Sequence, residues 1–120
     1  MNNKRFEHPY PKSSETFLEF SSPLLRTLTK PATIQDIEKI IRSTYTVWNA
    51  VVFDKVFENT EYVTEIRDSV KHDNEGSSLI EHLITRKNEL FGEDLRIIGE
   101  YKIIMDGRKW RIRADARNPS

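Results

Sequence analysis

The chain has 120 residues, 19 Lys and Arg against 19 Asp and Glu, three histidines and no cysteine. That length suits one domain with a real apolar core. The missing thiol excludes cysteine catalysis, iron–sulfur clusters, cysteine zinc sites and disulfide frameworks, and a pI near 6.8 argues against a nucleic-acid binder held by bulk charge.

Residues 1–13 are polar, hold Pro9 and Pro11 and show no periodicity, so they read as a flexible arm ahead of a single α+β domain over 14–117. No apolar leader core lies in the opening segment and no run reaches the ~18 apolar residues of a membrane span. The expectation is a cytoplasmic protein with no membrane contact.

A helical pattern starts at Ser14, the expected cap, and places Phe17, Phe20 or Ser21, Leu24 and Leu28 on one face. Pro23 lies inside it, which predicts a kink or two short helices. Pro31 and Ala32 end that element, and Thr33 caps a long central helix reaching about Phe57. Its stripe is Ile34, Ile37, Ile41, Tyr45, Trp48 and Val52; further on, Ala50, Phe53 and Phe57 make the opposite side apolar as well. The inner half, WNAVVFDKVF at 48–57, is therefore buried nearly all round, yet it keeps Asn49, Asp54 and Lys55.

Asn59 and Thr60 cap a short third helix in which Tyr62, Ile66 and Val70 share a face. Residues 72–78, HDNEGSS, read as loop, and a fourth helix starts near Ser77 or Ser78. It turns Ile80, Leu83, Ile84, Leu90 and Phe91 inward and stops at Gly92. The period then falls to two. Asp106-Gly107 between two alternating runs predicts a C-terminal β-hairpin lying on the helices. Pairing Met105 with Arg108 sets Ile103 against Trp110 and Tyr101 against Ile112, and on the other face Lys102 against Arg111, Glu100 against Arg113 and Ile98 against Asp115.

No constellation for catalysis, no phosphate-cradling glycine loop and no convergent metal-ligand spacing occurs in the chain. The expectation is that no catalytic, cofactor-binding or metal-binding residue exists. The nearest to a polar site are Asn49, Lys55, His72 and His82, and they form an enzyme site only if they share one cavity. For Lys55 a snorkelling stem is the simpler account, and for Asn49 a structural hydrogen bond.

Charge is segregated. Residues 1–53 carry seven basic and five acidic side chains, 54–94 carry five and eleven, and 95–120 carry seven and three. Lys102, Lys109, Arg111, Arg113 and Arg117 form a basic ribbon face that could follow a phosphate backbone, though Glu100 and Asp115 interrupt it and no aromatic is interleaved. A solvated face is the preferred reading of that stripe.

The run WNAVV, the later LITRKNELFGEDLRIIGEY and the hairpin together resemble a family of small uncharacterised bacterial proteins with a Trp-Asn-Ala helix and a terminal ribbon. The resemblance implies a bacterial origin and a shared fold, and brings no activity, cofactor or site. The functional expectation is a non-enzymatic interaction or regulatory domain that self-associates, as a homodimer for instance, or binds a protein partner. The alternative is nucleic-acid binding through the ribbon, and a further alternative is an enzyme with an unrecognised small-molecule site.

Overall fold

A computed structural model describes residues 13–28, 33–107 and 109–119. Four helices, α1 (Ser13–Leu25), α2 (Ile34–Val56), α3 (Glu61–Ser69) and α4 (Asn74–Leu90), precede strands β1 (Ile97–Asp106) and β2 (Lys109–Arg117). The strands form one antiparallel ribbon, and the α+β architecture with the longest helix second is as the patterning implies. Among the described residues no helix is long and apolar enough to cross a membrane.

Helix α2 is the axis. Thr33 caps it by accepting from the Asp36 amide at 3.1 Å, while the Asp36 carboxylate accepts from the Thr33 amide at 3.2 Å, a reciprocal capping box. Its stripe of Ile37, Ile41, Trp48 and Val52 is buried with Phe17 and Phe20 of α1 and Leu83 of α4. Phe20 stands edge-on to Trp48, ring centroids 5.2 Å apart, and Phe91 closes the cluster against both. A buried polar bridge, Ser21 Oγ donating to Thr44 Oγ1 at 2.9 Å, sets α1 against α2.

Four local expectations are corrected. Helix α1 is a single element rather than two short helices, with Pro23 in its last turn. Proline there withholds the amide that Glu19 would otherwise receive, and the Glu19 carbonyl accepts instead from Arg86 Nη2 at 2.8 Å and Ser22 Oγ at 2.9 Å. Helix α4 begins at Asn74, four residues before Ser78, because Asp73 accepts from the Gly76 amide and caps it. Within it Leu90 is 64% exposed, whereas Lys87 occupies the buried stripe. In α3 the face toward the core is Val63, Ile66 and Val70, and Tyr62 lies outward.

The hairpin is present but its register differs from the expected one by two residues. Asp106 pairs with Lys109, Ile103 with Ile112, Tyr101 with Ala114 and Lys102 with Arg113. Gly107, at φ +64°, takes the left-handed position of the turn that Asp106 would otherwise have to adopt. A two-residue slip preserves faces, so the inner row stays apolar. A bulge between Ile98 and Tyr101 then flips the start of β1, and Ile98, expected opposite Asp115 on the polar face, is 3% exposed in the core. Asp115 Oδ1 instead accepts from the Glu100 amide in the bulge at 2.9 Å.

Candidate interaction site

The three polar residues of the central apolar run go to three different neighbours. Asn49 grips Ile98 of β1 from both sides, Nδ2 donating to its carbonyl at 2.8 Å and Oδ1 accepting its amide at 2.7 Å. Asp54, 8% exposed, accepts the Tyr62 and Val63 amides at 3.0 and 2.9 Å. It caps α3 from a different helix, where Thr60 makes no side-chain cap. Lys55 is exposed and donates to the Gly92 carbonyl at 2.7 Å. Trp48 adds an indole bond to the Arg96 carbonyl at 2.7 Å. This segment is a joint holding β1, α3 and the α4–β1 loop.

Lys87 completes that joint. It is 1% exposed, and its Nζ donates to the Phe91 and Asp94 carbonyls at 2.6 and 2.8 Å and sits 4.1 Å from the Trp48 ring. Burial lowers the ammonium from 10.5 to about 8 against the opposing pull of Asp94. Beside it an open cleft of about 770 Å³ is lined by Glu15, Glu19, Glu89, Phe91, Glu93 and Asp94. Asp94 there is held by Arg96 at 2.6 Å. Among the described residues no buried side-chain polar atom lacks a partner, so no orphan group points into the cleft.

The predicted residues Asn49, Lys55, His72 and His82 do not converge. Asn49 faces β1, Lys55 faces Gly92, and both histidines lie exposed. Among the described residues no group of three His, Asp or Glu could hold a metal ion.

The ribbon offers a different arrangement. Lys102, Lys109, Arg111, Arg113 and Arg117 are exposed and alternate along one face. The observed register puts Lys102 directly opposite Arg113, with Arg111 one step along, and removes the Glu100–Arg113 pairing expected from sequence. Arg117 lies 3.7 Å from Asp115, while none of the other four has a carboxylate partner among the described residues. Like charges directly across a ladder are unfavourable. The two edges differ along their length. Near the base, Asn49 covers Ile98 on β1, and Ser13 and Ser14 cover Ala114 on β2, with Ser14 Oγ accepting the Ala114 amide at 2.8 Å and Ser13 Oγ donating to its carbonyl at 2.7 Å. Toward the turn, the pairing alternation leaves the outward main-chain groups of Ile103, Met105, Trp110 and Ile112 with no such cover among the described residues.

A second surface escaped the sequence reading. Between α2 and α3 runs a groove of about 440 Å³ lined chiefly by Tyr45, Ala50, Phe53, Tyr62 and Ile66. Phe53 sits between Phe57 and Tyr62, centroids at 5.9 and 5.3 Å, and those two outer rings are 49% and 43% exposed. Exposed Glu65 is the one carboxylate among its lining residues. The available signal was Phe53 and Phe57 at i, i+4 on the side away from the main stripe.

No family model, no curated protein and no solved structure matches this chain.

Proposed function

We propose that this protein is a binding module whose working surface is the outer face of its C-terminal ribbon, engaging an acidic partner surface in self-association or with another protein. One observation carries the reading: Lys102, Arg111 and Arg113 stand together, exposed and without carboxylate partners among the described residues. A solvated face alone needs no such cluster, because alternating signs serve solubility equally well and avoid the cross-strand repulsion. On the same reading the module works in a bacterial cytosol, which the resemblance and the composition support.

Nucleic-acid binding is the second reading, favoured by the same corrected register, since three adjacent cations on a ribbon can follow phosphates. The test titrates the protein against a polyglutamate peptide and a DNA duplex, and measures solution mass by light scattering, at low and moderate salt. The expected result is salt-weakened association with an acidic protein or with itself, lost in an Arg111→Glu/Arg113→Glu variant that keeps its circular dichroism spectrum. Duplex binding with the same loss would transfer the module to nucleic acid. No association of any kind at low salt would remove both readings.

A further inference from the structure

The sheet has two strands, so each strand keeps one open edge, and the two edges differ in what they offer a partner. Along β1 the main-chain groups of Ile103 and Met105 turn away from β2 and have no hydrogen-bond partner among the described residues. A strand laid there finds donors and acceptors already extended. The outer face of the same stretch carries exposed Lys102, half-buried Ile104 and exposed Asp106. Neither Lys102 nor Asp106 has an ion pair among the described residues, although Lys109 stands opposite Asp106 in the ladder. They lie either side of Ile104, ~13 Å apart along the strand and out of each other's reach. We propose that β1 pairs antiparallel with β1 of a second copy about a twofold axis at Ile104, joining two ribbons into one four-stranded sheet. This contact goes beyond the outer-face reading, because it uses the strand edge and leaves Arg111 and Arg113 of both copies exposed.

Charge and register select this pairing over its rivals. With Ile104 against its own copy, Lys102 meets Asp106 of the second copy, and by symmetry Asp106 meets the second Lys102. On the inner face Ile103 meets Met105 of the second copy, which covers a side chain that is 41% exposed in the single chain. The same two residues exchange main-chain bonds across the axis. Moving the axis to Ile103 or to Met105 sets Ile104 against Lys102 or against Asp106, and moving it to Lys102 sets two lysines together, so each shift loses both ion pairs. The edge of β2 offers no such match. Its outward groups belong to Trp110 and Ile112, and antiparallel pairing about Trp110, Arg111 or Ile112 sets Lys109 against Arg111, Arg111 against itself, or Arg111 against Arg113.

Light scattering on the full chain at low and moderate salt tests the contact. Wild type at high concentration should show twice the 14.1 kDa of one chain, and salt should weaken the dimer without abolishing it, since main-chain bonds and apolar cover remain. Lys102→Glu sets two carboxylates together at each pair, and Asp106→Lys sets two ammonium groups together. Each variant should be monomeric where wild type is dimeric. Mixing the two should restore the dimer, because the new glutamate then meets the new lysine and the remaining Asp106 meets the remaining Lys102. Met105→Pro deletes an outward amide from each copy but no bond of the hairpin ladder, and it alters no charge. It should be monomeric and still bind polyglutamate. Circular dichroism and urea unfolding establish that each variant is folded; should Asp106→Lys upset the turn, Lys102→Glu and Met105→Pro carry the test alone.

A dimer that survives Met105→Pro or Lys102→Glu overturns the proposal, as does a mixture of folded charge variants that stays monomeric. So does a wild type that is monomeric at high concentration in low salt. If that monomer still binds polyglutamate or duplex through Arg111 and Arg113, the edge contact fails and the binding-module reading stands. A dimer lost in Met105→Pro, in a protein that binds neither polyglutamate nor duplex, upholds the edge contact and removes the outer-face reading.

Discussion

Asn49 shows how one amide can do the work of a third strand. It supplies both partners to Ile98 on the free edge of β1, so Asn49→Ala leaves a main-chain donor and acceptor uncovered and should cost about 2–3 kcal/mol in urea unfolding. Asp54→Ala removes the cap of α3 and should cost about 1–2 kcal/mol. Lys87 makes a pH prediction. Its ammonium titrates near 8 when folded and near 10.5 when unfolded, so between those values the unfolded chain holds a proton that the folded chain has shed. Lys87 therefore contributes stability that is full above 10.5 and lost as pH falls through 8. The neutral amine keeps two N–H groups for the Phe91 and Asp94 carbonyls. Urea midpoints of wild type and Lys87→Met, compared from neutral pH to pH 10, should diverge in favour of wild type as pH rises; a constant difference would contradict the assignment. That Asn49 and Lys55 were structural could be argued from their neighbours in the chain. Their partners could not, because Ile98 and Gly92 are 49 and 37 residues away.

At the scale of elements, local signals placed most boundaries; the start of α4, capped locally by Asp73, was overlooked, and the other misses came where a tertiary partner intervened. Thr33 and Asp36 are three residues apart and cap α2 by themselves, so that start was legible. At α3 the local Asn59 accepts the Glu61 amide as expected, but the next two amides go to Asp54 on another helix, and the continuation of α1 through Pro23 is completed by Arg86 of α4, which also donates to the Phe20 carbonyl at 3.0 Å. A double-mutant cycle measures that last coupling. Arg86→Ala should cost about 1–2 kcal/mol in the native background and less after Pro23→Ala, since alanine returns an amide to the Glu19 carbonyl. Equal costs in both backgrounds would disconnect Arg86 from the proline. In the hairpin, alternation selected the faces but left the register open by two residues, because every even shift keeps the apolar row inside. The turn resolved it through the positive φ of Gly107.

For the whole molecule, the ribbon is part of the fold as well as its proposed working surface. Ile98 and Ile112 belong to the same buried cluster as Phe17, Trp48 and Leu83, and Tyr101 lies between Phe17 and Tyr45. Ending the chain after Leu95 should therefore abolish cooperative thermal unfolding rather than leave a stable helical domain, which circular dichroism melting would test. Composition, periodicity and cap chemistry determined by themselves that the fold is α+β with a central second helix and a terminal hairpin, because each of those features is encoded within a few residues. Tertiary structure alone decided the destinations of Asn49, Asp54 and Lys55, the burial of Lys87, the cluster of Lys102, Arg111 and Arg113, and the aromatic groove beside α3. Those depend on contacts between residues far apart in the chain, and a pattern of spacing does not say which distant group satisfies a buried polar atom or which like charges a register brings together.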